Sequence, residues 1–358
     1  MINEYIRKDL RDFKPYDAPV KEYEVKIDAN ENPYVHNKEV VNKVVDWLQD
    51  CNNIRRYPDS NCTDLRVTIA KYWNVSMENV VCGVGSDQLI DSILRTFIEP
   101  GDKVLMPTPS FSMYKITTKL NRGIPIEFSL NNEEEFYYPI EKIIDLYKEH
   151  SPKCVFLCTP NNPTGNILPI NDIERLLEVI KCPVIMDEAY GEFVSNTMID
   201  KINKYNNIIV LKTFSKAYGL AGLRVGYGIA SEEMINAVKK VIPPYHLNSF
   251  SQFFAQTVIE NIDEYESYVK EIIKGRQWLY KELGLISYVE KVYPSEGNYI
   301  LIKVTNEQIA YLLEQEKILV RGYGKEGALG NCIRITVGTK EENIRLIEAM
   351  KRYERSLV

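Results

Sequence analysis

Residues 154–190, "CVFLCTPNNPTGNILPINDIERLLEVIKCPVIMDEAY", decide how the rest of the chain is read. Two apolar, β-prone runs, CVFLCTP (154–160) and PVIMDEAY (183–190), flank a cluster of Asn, Pro and Gly and then a stretch of helical length. Strand, turn, helix, strand is the repeating unit of a parallel sheet, because two parallel neighbours need a long crossover between them. Further strand candidates lie on either side: NVVCG (79–83), KVLMP (103–107), IPIEFSL (124–130), IIVLKTF (208–214) and LRVGYGIA (223–230). Amphipathic segments separate most of them, as where Leu89, Ile90, Ile93, Leu94 and Phe97 share one helical face. The pattern predicts an α/β fold with a large domain built on a mostly parallel seven-stranded sheet. After about residue 245 the rhythm changes to a long helical stretch (251–283), then NYILIKV (298–304), a helix, ILVRGYG (318–324) and CIRITVG (332–338). That ending reads as a smaller α+β domain. The expected division is an N-terminal arm over 1–30, a large domain over 31–245 and a small domain over 246–358.

At 358 residues the chain can bury a large core, and 45% hydrophobic with 26% charged residues is the composition of an ordinary globular protein. A net charge of −6 and the lack of a basic block argue against nucleic acid as a partner. The charged N-terminus has no signal-peptide stretch, and no run of eighteen apolar residues occurs, so a cytoplasmic location without membrane attachment is expected. Seven cysteines without paired close spacings, four of them in or beside apolar runs, read as free thiols. Three scattered histidines offer no metal set. The acceptor patterns at Asn61 and Asn74 carry no meaning without a secretory signal.

In open α/β sheets, ligands bind beyond the carboxyl ends of the strands. NVVCG leads there into GVGSDQLIDSIL, where Gly85, Ser86 and Asp87 precede a helix and make an anion cradle from its unpaired amides. Gln88 stands where the third glycine of a dinucleotide fingerprint belongs, so a phosphate fits better than a dinucleotide. PVIMDEAY delivers Asp187 at a buried strand end, which requires a positive charge nearby or a raised pKa. LKTFSKAYGLAGLRVGY (211–227) places Lys216 among small and hydroxyl residues with Arg224 eight positions on. A phosphate cradle, a carboxylate for a pyridine nitrogen and a lysine for an aldehyde together suit pyridoxal 5′-phosphate.

The chain resembles the fold-type I aminotransferases, most closely the histidinol-phosphate aminotransferases. The likeness runs nearly end to end through DANENPY, RRYPD, GVGSDQLID, PTPSFSMY, TPNNPTG, MDEAY, TFSKAYGLAGLRVGY and CIRITVG. It implies that Lys216 binds the cofactor covalently and that Asp187 pairs with its pyridine nitrogen. Asn162 and Tyr190 would bond the ring oxygen, and Phe111 would stack on the ring. The phosphate would be held by the Gly85-Ser86-Asp87 backbone, Thr213, Ser215 and Arg224, with Tyr57 reaching in from a second subunit of a homodimer with shared active sites. Arg334 would fork-bind a substrate carboxylate, while Asn30, Tyr16 and Arg321 complete the substrate side, the last two toward a phosphate. The implied reaction is transamination of L-histidinol phosphate with 2-oxoglutarate, giving imidazole-acetol phosphate and glutamate, in histidine biosynthesis. An aromatic or broad-range aminotransferase and a phosphothreonine decarboxylase share these motifs and stay open. A ligand-sensing regulator of this fold usually carries a DNA-binding domain, for which this chain has neither room nor a basic segment.

Overall fold

The computed structural model describes residues 2–11, 13, 21–34, 36–130 and 135–356. Its strands are β1 (Val25–Lys26), β2 (Val80–Val84), β3 (Lys103–Thr108), β4 (Ile124–Ser129), β5 (Cys154–Cys158), β6 (Val184–Asp187), β7 (Ile208–Thr213), β8 (Val225–Ala230), β9 (Val289–Val292), β10 (Tyr299–Val304), β11 (Ile318–Leu319), β12 (Arg321–Gly322) and β13 (Cys332–Thr336). The seven runs expected as strands form one seven-stranded sheet in the order β2-β8-β7-β6-β5-β3-β4. Only β8 runs antiparallel to its neighbours, β2 and β7.

Every residue of β5, β6, β7 and β8 is buried, as expected for strands covered on both faces. The pleat divides them between two cores. Ile208 and Val210 join one hydrophobic cluster with Val155 and Leu157, whereas Ile209 and Leu211 join the other with Phe156 and Ile185. The helix Gly85–Phe97 covers that second face with Leu89, Ile90, Ile93 and Leu94, all fully buried. Each such side chain contributes roughly 1.5–3 kcal/mol by leaving water.

The C-terminal part holds a four-stranded antiparallel sheet in the order β12-β13-β10-β9. ILVRGYG, expected as one strand, divides at Val320: β11 pairs in parallel with β1 near the N-terminus, and β12 pairs with β13. The expected long helix is two, Ser249–Glu260 and Ile262–Leu283. Asn261 breaks it at φ −119°, and its side-chain Nδ2 donates to Thr257 O at 2.7 Å, taking a carbonyl that a continuing helix would use. All seven cysteines are free, with Cys51 exposed and Cys182 partly so. Among the described residues there is no metal-binding cluster, and no helix is long and apolar enough to cross a membrane.

Candidate active site

The carboxyl ends of β2, β5, β6 and β7 converge on one cavity, together with Phe111 and the turn that carries Lys216. Gly85 starts its helix at φ +71°, a conformation that suits glycine, and a Cβ there would stand 2.9 Å from Arg224 Nη2. Gly226 is equally constrained, since a Cβ would fall 2.4 Å from Ser86 N. These two glycines let the helix start sit directly on β8. The Gly85 amide is spent on Arg224 O at 2.9 Å, so Ser86 and Asp87, not Gly85, line the cavity. Arg224, itself at φ +54°, reaches Asp87 Oδ2 at 2.9 Å and Ala221 O at 3.2 Å. Thr213 Oγ1 bonds Ser215 Oγ at 3.1 Å, and the Ser215 amide donates back to Thr213 Oγ1 at 3.1 Å. A helix start, two hydroxyls and a guanidinium around one space form a cradle for a dianion.

Asp187 ends β6 and is 3% exposed. The positive charge expected beside it is not supplied by the protein: among the described residues no lysine, arginine or histidine pairs with it. Its partners are neutral, Tyr114 OH donating to Oδ2 at 2.5 Å and Ala189 N–H donating to Oδ1 at 3.0 Å. Burial pushes the carboxyl up to about 6, against the pull of those two donors. A buried carboxylate that faces the cavity and has only neutral partners fits a cationic ring nitrogen.

Lys216 is half-buried, with Nζ donating to Ala29 O at 2.8 Å. Burial, helped by the charges of Arg334 and Arg224, lowers its pKa to about 8, which makes the neutral amine accessible near neutrality. Tyr190 OH accepts from Asn30 Nδ2 at 2.9 Å. Asn30, at φ +55°, is held in turn by Thr336 and Asn298. Phe111 lines the cavity and meets the Tyr114 ring edge-on at 5.6 Å.

A wider cavity opens from this one toward Asn30, Arg321 and Arg334. Arg334 is 9% exposed, and its contacts are neutral oxygens: Nη1 to Asn162 Oδ1 at 2.6 Å and Nη2 to Asp28 O at 2.5 Å, with Nε unpartnered. Arg321 is exposed and stands directly opposite Arg334 in the β12·β13 ladder. Tyr57 lines neither cavity; it is 82% exposed and stacks on Tyr245 at 4.6 Å. Tyr16 lies outside the described residues.

Two features escaped the sequence reading. Tyr114 lies within PTPSFSMY, three residues after Phe111, and that helical spacing was the available signal. Lys212, in the otherwise apolar IIVLKT, is 1% exposed, 3.3 Å from both Glu188 and Glu192, and 4.8 Å from the Trp73 ring centroid. It clamps β7 to the turn after β6 from the face opposite Asp187.

The chain matches the family described as aminotransferase class I and II across residues 23–350. It is 41% identical to the histidinol-phosphate aminotransferase of Ruminiclostridium cellulolyticum and 38% identical to that of Clostridium novyi, over 98% of each chain. Among solved structures, the histidinol-phosphate aminotransferase of Clostridium acetobutylicum superimposes with a TM-score of 0.84 at 23% identity, covering 93% of this chain and 99% of that one. The Sinorhizobium meliloti enzyme in complex with pyridoxal-5′-phosphate gives 0.85 at 22% identity, covering 94% and 92%. These likenesses show the fold, and the family match with the two close relatives shows the lineage. The chain belongs to the aminotransferase class I and II family and is a pyridoxal-phosphate-dependent aminotransferase.

Proposed function

We propose that this aminotransferase converts L-histidinol phosphate and 2-oxoglutarate to imidazole-acetol phosphate and glutamate. The observation that carries the reading is the pair of arginines at the mouth of the site. Arg334 and Arg321 are cross-strand neighbours without a carboxylate partner among the described residues. Like charges placed opposite one another destabilise a ladder, so the pair makes sense where anionic substrates neutralise it. One substrate brings a phosphate, the other two carboxylates.

Pyridoxal 5′-phosphate, when bound, supplies an aldehyde that condenses with amines and a ring that accepts the electrons of a broken C–H bond. Asp187 would keep the proton on the ring nitrogen, Asn162 and Tyr190 would bond the ring oxygen, and Phe111 would cover one face. Ser86, Asp87, Thr213, Ser215 and Arg224 would take the phosphate. Lys216 Nζ would move a proton between the substrate carbon that bears the amino group and the cofactor's aldehyde carbon. Arg334 grips the carboxylate of glutamate or 2-oxoglutarate in one half-reaction, and Arg321 the phosphate of histidinol phosphate in the other.

The enzyme is read as a homodimer with shared sites. Helix Lys38–Gln49 exposes Val41, Val45 and Leu48 along one stripe, and Ile54, Tyr57 and Val67 are exposed on the segments that follow it. Exposed apolar side chains of this kind suit a second copy, which would carry Tyr57 to the partner's phosphate cradle. The deciding experiment follows single turnovers of the loaded enzyme with histidinol phosphate, histidine, phenylalanine, aspartate and phosphothreonine. Fastest turnover of histidinol phosphate is expected. Preference for phenylalanine would replace the reading with a broad-range aminotransferase, and carbon dioxide released from phosphothreonine would replace it with a decarboxylase.

A further inference from the structure

Asp187 has to be ionised to hold a protonated ring nitrogen, yet it is buried where ionisation is costly. The surrounding groups give little help. Cys158 stands beside it across the β5·β6 pair, and Tyr138 OH, which could donate, is spent on Cys158 O at 2.6 Å. Tyr190 OH accepts from Asn30 and does not reach the carboxylate, and Lys216 points to Ala29 O. Asp87 and Glu188 are negative neighbours, bound to Arg224 and Lys212. Among the described residues, Tyr114 is the one side chain that donates to the carboxylate.

Tyr114 is held for this purpose. On helix Met113–Leu120, 1% exposed, its ring stacks on Phe156 at 4.5 Å and 14° and meets Phe111 edge-on. Burial and the facing carboxylate raise the phenol well above its ordinary range, so the proton stays on the tyrosine. A fixed O–H aimed at a carboxylate favours its charged form.

We propose that Tyr114 is a positioning residue for the reaction, whose hydroxyl keeps Asp187 ionised and aimed at the cofactor's ring nitrogen. The proposal rests on the role given to Asp187 above, and the test separates the two. The full-length chain, freed of cofactor, is titrated with pyridoxal 5′-phosphate at a series of pH values, and affinity is read from tryptophan fluorescence and absorbance. In the wild type, affinity should fall as pH drops through the Asp187 pKa, about 6. In Tyr114→Phe that fall should begin about one pH unit higher, giving about tenfold weaker binding at the acid end and convergence with wild type at alkaline pH. Asp187→Asn should bind weakly throughout, with no acid fall beyond the one that protonation of the cofactor's own phosphate at about pH 6 gives every form, and adding Tyr114→Phe to it should change nothing further.

An unshifted acid fall in Tyr114→Phe overturns the proposal, as does an equal loss from Tyr114→Phe in the Asp187→Asn background, which would make the tyrosine a packing residue. If Asp187→Asn binds like wild type, it is the role of Asp187 that falls. The stability of the cofactor-free chain gives a second readout. Asp187 has a folded pKa above its unfolded one, so its contribution is present below the unfolded value and is lost as pH rises through the folded value. Tyr114→Phe should therefore destabilise the chain more at neutral than at acid pH. A deficit that shrinks with rising pH contradicts the assignment.

Discussion

Lys216 and Asp187 depart from their ordinary values in opposite directions, to about 8 and about 6, and both shifts follow from burial before any ligand arrives. Lys216, with its pKa lowered, gives stability that is present above the unfolded lysine value and is lost as pH falls through the folded value. Between the two folded values the empty site thus holds two costly charges, and cofactor should raise the melting temperature most in that window. Borohydride treatment of the holoenzyme followed by peptide mapping should place the cofactor on Lys216; an adduct on another lysine would end the reading. Asp187→Asn should reduce turnover at least 100-fold if the lost carboxylate–ring contact is worth about 3 kcal/mol. The two arginines should separate kinetically. Losing a charge-assisted contact in a closed site costs roughly 2–5 kcal/mol, so Arg321→Gln should lower kcat/KM for histidinol phosphate about 30-fold or more while sparing glutamate. Arg334→Gln should damage glutamate at least as much, and equal small losses with both substrates in Arg321→Gln would make that arginine scaffolding. Residues at strand ends were legible in sequence because an Asp after VIM or a Lys among hydroxyls contradicts its surroundings. Tyr114 was not, since an aromatic on an amphipathic helix looks like any core residue.

At the scale of elements, the contact between β8 and the start of helix Gly85–Phe97 governs the phosphate cradle. Gly226→Ala would press a methyl group against the Ser86 amide and the Gly85 carbonyl carbon, both backbone and unable to rotate away. Overpacking of this kind costs typically about 1–3 kcal/mol, and here it should also weaken cofactor binding by shifting the helix start. Ile93→Ala, in the middle of the same helix, should cost about 2–5 kcal/mol in denaturant unfolding yet leave cofactor affinity close to wild type. Finding the reverse would detach the cradle from this contact. The central strands β5, β6 and β7 were readable because strands buried on both faces show near-continuous apolar runs. The split of ILVRGYG was not, because its halves differ only in their partners, β1 and β13, hundreds of residues and one strand away. Asn261 was a nearer signal, a polar side chain able to bond back to Thr257 in mid-helix.

For the whole molecule, the exposed stripe on helix Lys38–Gln49 and the exposed Tyr57 make dimerisation the point to test. Val45→Glu should shift the enzyme toward monomer in analytical ultracentrifugation and lower activity with it. Mixing inactive Lys216→Ala chains with impaired Tyr57→Phe chains should restore activity, because some heterodimers hold one site with both lesions and another with neither. Activity no greater than the average of the two parents would place Tyr57 in its own subunit's site. Sequence could assign Tyr57 to a partner only through family likeness, since nothing local distinguishes an interface tyrosine from a surface one.

The pairing of β1 with β11, and of Asn30 with Thr336 on β13, joins the two ends of the chain at the substrate side. Lys216, Asp187 and the residues of the phosphate cradle all lie between Ser86 and Arg224, at the strand ends and loops of one sheet. Arg334 comes from the last strand, and Asn30, near the other end of the chain, depends on Thr336 to hold it. The cofactor side is thus drawn from one unbroken stretch of polypeptide, whereas the substrate side is sewn together from its two ends.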